Sequence, residues 1–205
     1  MTELDWYIDF LSPFPYLQAA RLSEFPRDVV IRPRPILFAA LLKHWGNKAP
    51  AEIPPKKQFL FRHALWLANR HGMPFRPPSR HPFNPLRPLR LAIALGADIE
   101  VTRQILHFIW GEGRDTESEE NWRDLTGRLG LQVKEASEAI ERPEVKAALK
   151  ANTDRALEAG VFGVPTIVAG GNLFWGADAT DLLLDYLADS RLLDTLDRQL
   201  IRAHD

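Results

Sequence analysis

The chain has 205 residues, of which 45% are hydrophobic, and it carries 26 basic and 27 acidic side chains. This composition allows a buried core and gives no reason for disorder. The chain contains no cysteine, which excludes disulfides, thiolate-bound zinc, iron–sulfur clusters and a cysteine nucleophile of its own. No basic leader and no apolar run of about 18 residues is present, so we expect a soluble, cytoplasmic protein of one or two domains with no membrane partner.

The net charge of −1 hides a strongly basic segment at residues 53–97. This segment has a local charge of +8 with no Asp or Glu, which leaves −9 for the other 160 residues. Such a segment can be a solvated face, a nucleic-acid patch or the wall of a pocket for small anions. Its arginines alternate with prolines instead of forming a lysine-rich arm, so we expect no nucleic-acid partner.

The N-terminal part of the sequence predicts a β-α-β unit. Residues 4–11 are aromatic and aliphatic, as in a buried strand, and they end at Ser12-Pro13, a favourable helix start with serine as the N-cap. Apolar residues between 16 and 25 predict the helix, and residues 28–34 predict a second strand. A helix of this length can connect two parallel strands.

The periodicity is helical from Ile36 to about Leu157, apart from a proline-rich loop predicted at 74–88. On one helix, Phe59, His63, Trp66 and Leu67 share a face. Strands return at 166–169 and 172–175 around a Gly170-Gly171 turn, and further helices are predicted near Asp178 and at 191–202.

This order of elements predicts an α/β fold: a thioredoxin-like domain interrupted by an all-helical insertion domain. We assign residues 1–42 and 158–205 to the thioredoxin-like domain and residues 43–157 to the inserted domain.

Three positions have groups that suit a catalytic or binding role. Ser12 lies where a strand ends and a helix begins, so that free N–H groups and the helix dipole would stabilise a thiolate there, although Ser-Pro is also a common helix start. A cis Val164–Pro165 bond would leave the Val164 backbone free to pair with an extended peptide. Asp178 is either a helix cap or a carboxylate that binds the amino group of a small peptide.

No metal site is expected, because none of the six histidines has metal-type spacing. We interpret all of them as structural or surface residues: His44, His63, His71, His81, His107 and His204.

Four motifs in the same order resemble 2-hydroxychromene-2-carboxylate isomerases and kappa-class glutathione transferases. They are residues 9–14 (DFLSPF), 46–48 (GNK), 160–166 (GVFGVPT) and 174–178 (FWGAD). The resemblance spans nearly the whole chain and implies a DsbA-like architecture, glutathione as the cofactor and a homodimer.

The resemblance also implies roles for individual residues. The Ser12 hydroxyl would donate a hydrogen bond to the glutathione sulfur, and the Val164 backbone would pair with the cysteinyl portion beside a cis Pro165. Ala177 and Asp178 would hold the γ-glutamyl end. The residues placed around glutathione are Asn47, Lys56, Val164, Pro165, Trp175, Gly176, Ala177 and Asp178, and those placed near the substrate are Lys43 and Asn84. Asn47 and Lys56 match positions that line both the glutathione and the substrate cleft.

The implied activity is the conversion of 2-hydroxychromene-2-carboxylate, a small aromatic carboxylate, to trans-o-hydroxybenzylidenepyruvate in naphthalene-type catabolism. The reaction would proceed by reversible addition of the glutathione thiolate, with the basic segment facing the substrate carboxylate. Two alternatives remain open. One is a kappa-class-like transferase or peroxidase that acts on another electrophile, and the other is a non-catalytic thioredoxin-fold binding module.

Overall fold

A computed structural model describes residues 1–202, so His204 lies outside the described residues. In this part of the chain, the strands are β1 (Thr2–Ile8), β2 (Val29–Pro35), β3 (Thr166–Ala169) and β4 (Asn172–Trp175). The helices are α1 (Phe14–Ala19), α2 (Phe38–Trp45), α3 (Pro54–Arg70), α4 (Leu86–Ala94), α5 (Ile99–Leu106), α6 (Glu119–Arg128), α7 (Val133–Ala139), α8 (Pro143–Glu158), α9 (Thr180–Ala188) and α10 (Leu192–Arg202).

The four strands form one mixed sheet in the order β2-β1-β3-β4. β1 and β2 are parallel and are connected through α1, whereas β3 is antiparallel to both β1 and β4. β3 and β4 have the predicted bounds. Their turn consists of Gly170 and Gly171, with φ values of 56° and 80° that glycine adopts without a side-chain clash.

β1 ends three residues earlier than the sequence predicts. The Asp9 carbonyl accepts the Ser12 N–H at 3.2 Å, and the Asp9 carboxylate accepts the Leu11 N–H at 3.0 Å. Because these bonds turn the backbone away from the sheet, residues 9–12 form a tight turn instead of the end of a strand.

Helices α2 to α8 form the inserted region between β2 and β3. The region is joined to the sheet by α8, where Asn152 donates to the Pro35 carbonyl at 3.2 Å and the Thr153 hydroxyl accepts the Leu37 N–H at 3.1 Å. The domain boundaries at 42/43 and 157/158 stay a prediction, and they fall within α2 and at the end of α8.

Two buried clusters connect the sheet to the insert, and the larger one includes Trp6, Phe10, Trp110 and Trp122. The buried indole of Trp6 donates to Gln18 of α1 at 2.7 Å, and that of Trp110 donates to the Phe10 carbonyl at 2.9 Å. Both indole N–H groups are therefore satisfied inside the core, as a buried tryptophan requires.

Two details of the insert differ from what the sequence pattern predicts, namely the end of the proline-rich loop and the face that α3 exposes. Pro88 lies inside α4 and not in the loop, because the first-turn N–H groups of a helix need no partner within the helix. On α3, the face that carries Phe59 and Trp66 is not in the core, since these side chains are 68% and 55% exposed. No helix within residues 1–202 has the length and apolar character needed to cross a membrane.

Candidate active site

Ser12 lies in the turn between β1 and α1 and is half-buried. Its Oγ accepts the Phe14 N–H at 3.3 Å. The sequence predicts Ser12 as the N-cap of α1, but Pro13 occupies that position in the structure, so Ser12 lies one residue before the cap. No group in the described part of the chain accepts the Ser12 hydroxyl proton, which leaves this O–H available to donate to a ligand.

The backbone before Ser12 is held by Asp9, a residue for which the sequence predicted no individual role. The Asp9 side chain is fully buried, and its carboxylate accepts N–H groups from Leu11 at 3.0 Å and Phe38 at 2.9 Å. Burial raises the pKa of Asp9 to about 6, while the two N–H donors oppose this effect. An acidic residue at the end of an apolar strand was the only signal for this role in the sequence.

His81, from the loop before α4, holds the other backbone group of Leu11, its carbonyl. Its Nε2 lies 3.0 Å from the Leu11 carbonyl, and the Lys57 ammonium donates to the His81 carbonyl at 2.7 Å. Burial lowers the pKa of His81, which favours a neutral ring whose Nε2–H donates to that carbonyl. Leu11 is therefore fixed at its N–H by Asp9 and at its C=O by His81, and this orients the peptide before Ser12.

The Val164–Pro165 bond is cis, as the family resemblance implies. The pairing of Tyr7 with Thr166 places this bond beside the C-terminal end of β1, close to the Ser12 turn. Within residues 1–202 the backbone N–H and C=O of Val164 make no hydrogen bond, so both groups can pair with an extended ligand.

The segment that contains Gly176, Ala177 and Asp178 is attached to α1. The Gln18 amide donates to the Gly176 carbonyl at 3.3 Å and to the Thr180 hydroxyl at 3.2 Å, while Pro165 accepts the Gly176 N–H at 2.9 Å. The exposed Asp178 carboxylate lies at a cavity of about 380 Å³. The residues around this cavity include Leu17, His63, Trp66, Arg70, Ala177 and Asp178.

A second cavity, of about 400 Å³, lies between Phe14 of α1 and the first turns of α3, and it contains Lys56. Of the predicted site residues, Ala177 and Asp178 line the first of these cavities and Lys56 lines the second. Ser12, Val164, Pro165 and Gly176 line neither cavity: Ser12 precedes α1, Gly176 is hydrogen-bonded to Gln18 of α1, and the Pro165 carbonyl accepts the Gly176 N–H. A third cavity, of about 500 Å³, is lined by Tyr16 and His107 among others, and none of its lining residues is a predicted site residue.

The remaining predicted contacts are not brought into these cavities. Asn47 and Lys43 are exposed at the end of α2, and the Asn84 side chain accepts the Leu86 N–H at 3.0 Å at the start of α4. Trp175 is 53% exposed and packs edge-on against Phe162. The ligand roles of all these residues stay a prediction.

The basic segment is partly neutralised by acids from outside it. Arg80, Arg87 and Arg90 form ion pairs with Glu117, Glu119 and Glu141. In the described ranges, Lys56 and Arg70 form no ion pair. Of the segment's cations, these two also lie at the cavities beside α1.

The mixed sheet, the helical region between β2 and β3 and the cis proline beside the β1–α1 turn define a thioredoxin-fold protein. The model of the DSBA-like thioredoxin domain matches residues 3–188, and the chain belongs to this family. The predicted fold class and the family resemblance are therefore confirmed.

Two curated relatives illustrate this membership. The chain is 29% identical to a 2-hydroxychromene-2-carboxylate isomerase of Sphingobium xenophagum, over 91% of this chain and 98% of the relative. It is 24% identical to glutathione S-transferase kappa 1 of Rattus norvegicus, over 91% of both chains. A solved structure of a 2-hydroxychromene-2-carboxylate isomerase superposes with a TM-score of 0.80 at 25% identity and covers 95% of this chain and 99% of that one.

Proposed function

We propose that the protein binds glutathione and catalyses the glutathione-dependent isomerisation of 2-hydroxychromene-2-carboxylate to trans-o-hydroxybenzylidenepyruvate. The observation that carries this proposal is the Ser12 hydroxyl, whose oxygen accepts a backbone N–H and whose proton has no acceptor among residues 1–202. The likeness to isomerases over nearly the whole chain supports the choice of reaction.

The residues present fit glutathione. Ser12 offers a hydrogen-bond donor for the sulfur, Val164 offers a free backbone edge for the cysteinyl portion, and Asp178 offers an exposed carboxylate for the amino group. Bound glutathione would supply the thiolate nucleophile that a chain without cysteine lacks.

Ser12 has the central chemical role in this site. A hydrogen bond from its hydroxyl stabilises a charged sulfur more than a neutral one, and it therefore lowers the pKa of the thiol. Helix α1 has only six residues, so its dipole adds little and the hydroxyl is the main source of stabilisation. Lys56 provides a cation for the substrate carboxylate.

The proposal is tested by mixing the purified protein with 2-hydroxychromene-2-carboxylate and following the ultraviolet spectrum with and without glutathione. We expect conversion only when glutathione is present. Turnover that does not depend on glutathione, or no turnover at all, contradicts the proposal.

A kappa-class-like transferase is the second candidate, favoured by the likeness to the rat transferase. The same preparation is then assayed with 1-chloro-2,4-dinitrobenzene and glutathione. Conjugation of this electrophile together with an unchanged chromene spectrum would support the transferase function and contradict the isomerase function.

Replacing Gly176 by alanine is expected to weaken glutathione binding about 10-fold. Gly176 has a φ of 94°, a conformation that disfavours residues with a side chain, and an added Cβ would collide with the Asp178 carboxylate. The carboxylate must then move away from the position in which it would hold the amino group. Isothermal titration calorimetry with glutathione measures the effect.

Gly171→Ala is the matched control. Gly171 has a φ of 80°, but an added Cβ there meets no atom within 4 Å in the described structure. This variant carries comparable backbone strain without touching the site, so it should lose stability and keep its affinity for glutathione. Equal losses of affinity in both variants would show that Asp178 does not bind glutathione.

A further inference from the structure

We infer that the cavity between α1, α5 and α6 is a second ligand site, which binds an α-amino acid with an aliphatic side chain. Glu100 binds the ammonium group of this ligand, and Arg103 and Gln104 bind its carboxylate. The site goes beyond the proposed function, because it shares no lining residue with the cavities at Asp178 and Lys56.

The cavity uses a separate face of α1. Its volume of about 500 Å³ lies within the range of small-molecule sites. Tyr16, Ala19 and the C-cap residue Ala20 form one wall, and their spacing places them on one side of the helix. Phe14 and Leu17 of the same helix line the other two cavities instead. A ligand bound here is therefore not in the place proposed for glutathione.

The inner surface of this cavity is apolar. Ala19, Phe108 and Leu125 are almost fully buried, and Met73 is half-buried. An aliphatic side chain that packs against these four residues leaves water, which is the main source of affinity for an apolar group.

Several polar groups at the cavity already have partners. The Tyr16 hydroxyl donates to the Pro74 carbonyl at 2.8 Å, and the His107 Nδ1 lies 3.4 Å from the Tyr16 hydroxyl oxygen. Arg128 forms an ion pair with Glu112 at 2.6 Å. These groups form the walls of the cavity and are not needed to pair with a ligand.

The side chains of Glu100, Arg103 and Gln104 are the polar groups left for a ligand. Within residues 1–202 they form no ion pair and no side-chain hydrogen bond, and Glu100 and Arg103 do not pair with each other although they are one helical turn apart. Exposed charges often lack a partner, but here an anion and a cation border the same apolar cavity. A ligand with one charge can pair with only one of them, whereas an α-amino acid carries both charges on one carbon atom.

The walls from α1 and α5 meet at a close contact. Residues His107–Gly111, which follow α5, form a π-helical turn, a feature that is frequent at functional sites. A Cβ added at Gly111 would lie 2.6 Å from the His107 Nδ1 and 3.0 Å from the Tyr16 hydroxyl oxygen. The absence of a side chain at Gly111 therefore lets these two walls approach, and the cavity is formed before a ligand binds.

Three related probes test which charges the site requires. They are L-leucine, 4-methylpentanoate, which lacks the ammonium group, and 3-methylbutylamine, which lacks the carboxylate. In calorimetric titrations of the full-length protein near neutral pH, where leucine is a zwitterion, we expect leucine to bind about 10-fold more tightly than either analogue. Saturation with glutathione should change the affinity for leucine less than about 2-fold.

Two variants assign the charges to residues. Arg103→Gln should weaken leucine binding about 10-fold and leave the binding of 3-methylbutylamine unchanged, because the amine has no carboxylate for Arg103. Glu100→Gln should weaken leucine binding about 10-fold without weakening the binding of 4-methylpentanoate. The matched controls are Arg123→Gln and Glu120→Gln, which remove exposed charges of α6 outside the cavity and should keep the wild-type affinities.

Four outcomes would overturn the inference. They are no binding of leucine, an affinity for leucine equal to that for either analogue, equal losses in the variants and their controls, and displacement of leucine by glutathione. The last result would show that leucine occupies the part of the glutathione site proposed for the γ-glutamyl end. If leucine binds as expected but glutathione does not bind, the amino-acid site stands and the proposed function fails.

Discussion

Ser12→Ala should lower kcat/KM for the glutathione-dependent reaction about 10- to 100-fold. A hydrogen bond to a charged group contributes about 1.5–3 kcal/mol, and the variant removes the donor proposed to stabilise the thiolate. The fold should survive, because Ser12 is half-buried and its oxygen contributes one bond, to the Phe14 N–H, worth about 1 kcal/mol.

Steady-state kinetics and thermal unfolding of the same preparation separate the two effects. The expected pattern is a large loss of turnover with a small shift of the melting temperature. Unchanged turnover would remove Ser12 from the chemistry, whereas a loss of turnover that follows a loss of folded protein would assign it a structural role.

Asp9→Asn should change how stability depends on pH. The buried Asp9 carboxyl has a pKa of about 6 in the folded chain against an ordinary value of 3.8, because burial penalises the ionised form. Its contribution to the free energy of unfolding is therefore complete below pH 3.8 and is lost as the pH rises through 6. The advantage of wild type over Asp9→Asn should shrink by about 3 kcal/mol between pH 3.5 and pH 7.

Urea unfolding of both proteins across this pH range measures the difference. Glu141→Gln is the control of opposite sign, since the hydrogen bond from Lys146 lowers the pKa of Glu141 and its contribution is lost as the pH falls. A difference between wild type and Asp9→Asn that does not vary with pH would show that the Asp9 carboxyl titrates normally.

The order of the elements could be predicted from the sequence because each strand has a local signature. The bounds of β3 and β4 were predicted to the residue, since the Gly-Gly turn marks the end of β3 and the start of β4. The end of β1 was misplaced because Phe10 and Leu11 continue the apolar run, whereas the turn depends on the hydrogen bonds that Asp9 accepts from the backbone N–H groups of Leu11 and Ser12.

The sequence indicated the residues around Ser12 but not those that hold it in place. His81 contacts Leu11 across 70 residues of chain, and Asp9 binds the start of α2. Such contacts between residues far apart in the chain produce no periodic pattern in the sequence. Periodicity likewise showed that Phe59 and Trp66 share one helical face, but which face is left exposed depends on how α3 packs against α1.

If Ser12 stabilises a thiolate brought by glutathione, an ultraviolet titration of glutathione bound to the protein measures the effect on the thiol itself. Free thiols have a pKa of about 8.5. We expect a clearly lower thiol pKa on the wild-type protein and a value about 1 to 2 units higher in Ser12→Ala. The same thiol pKa in both proteins, or one equal to that of free glutathione on the wild type, would contradict this expectation.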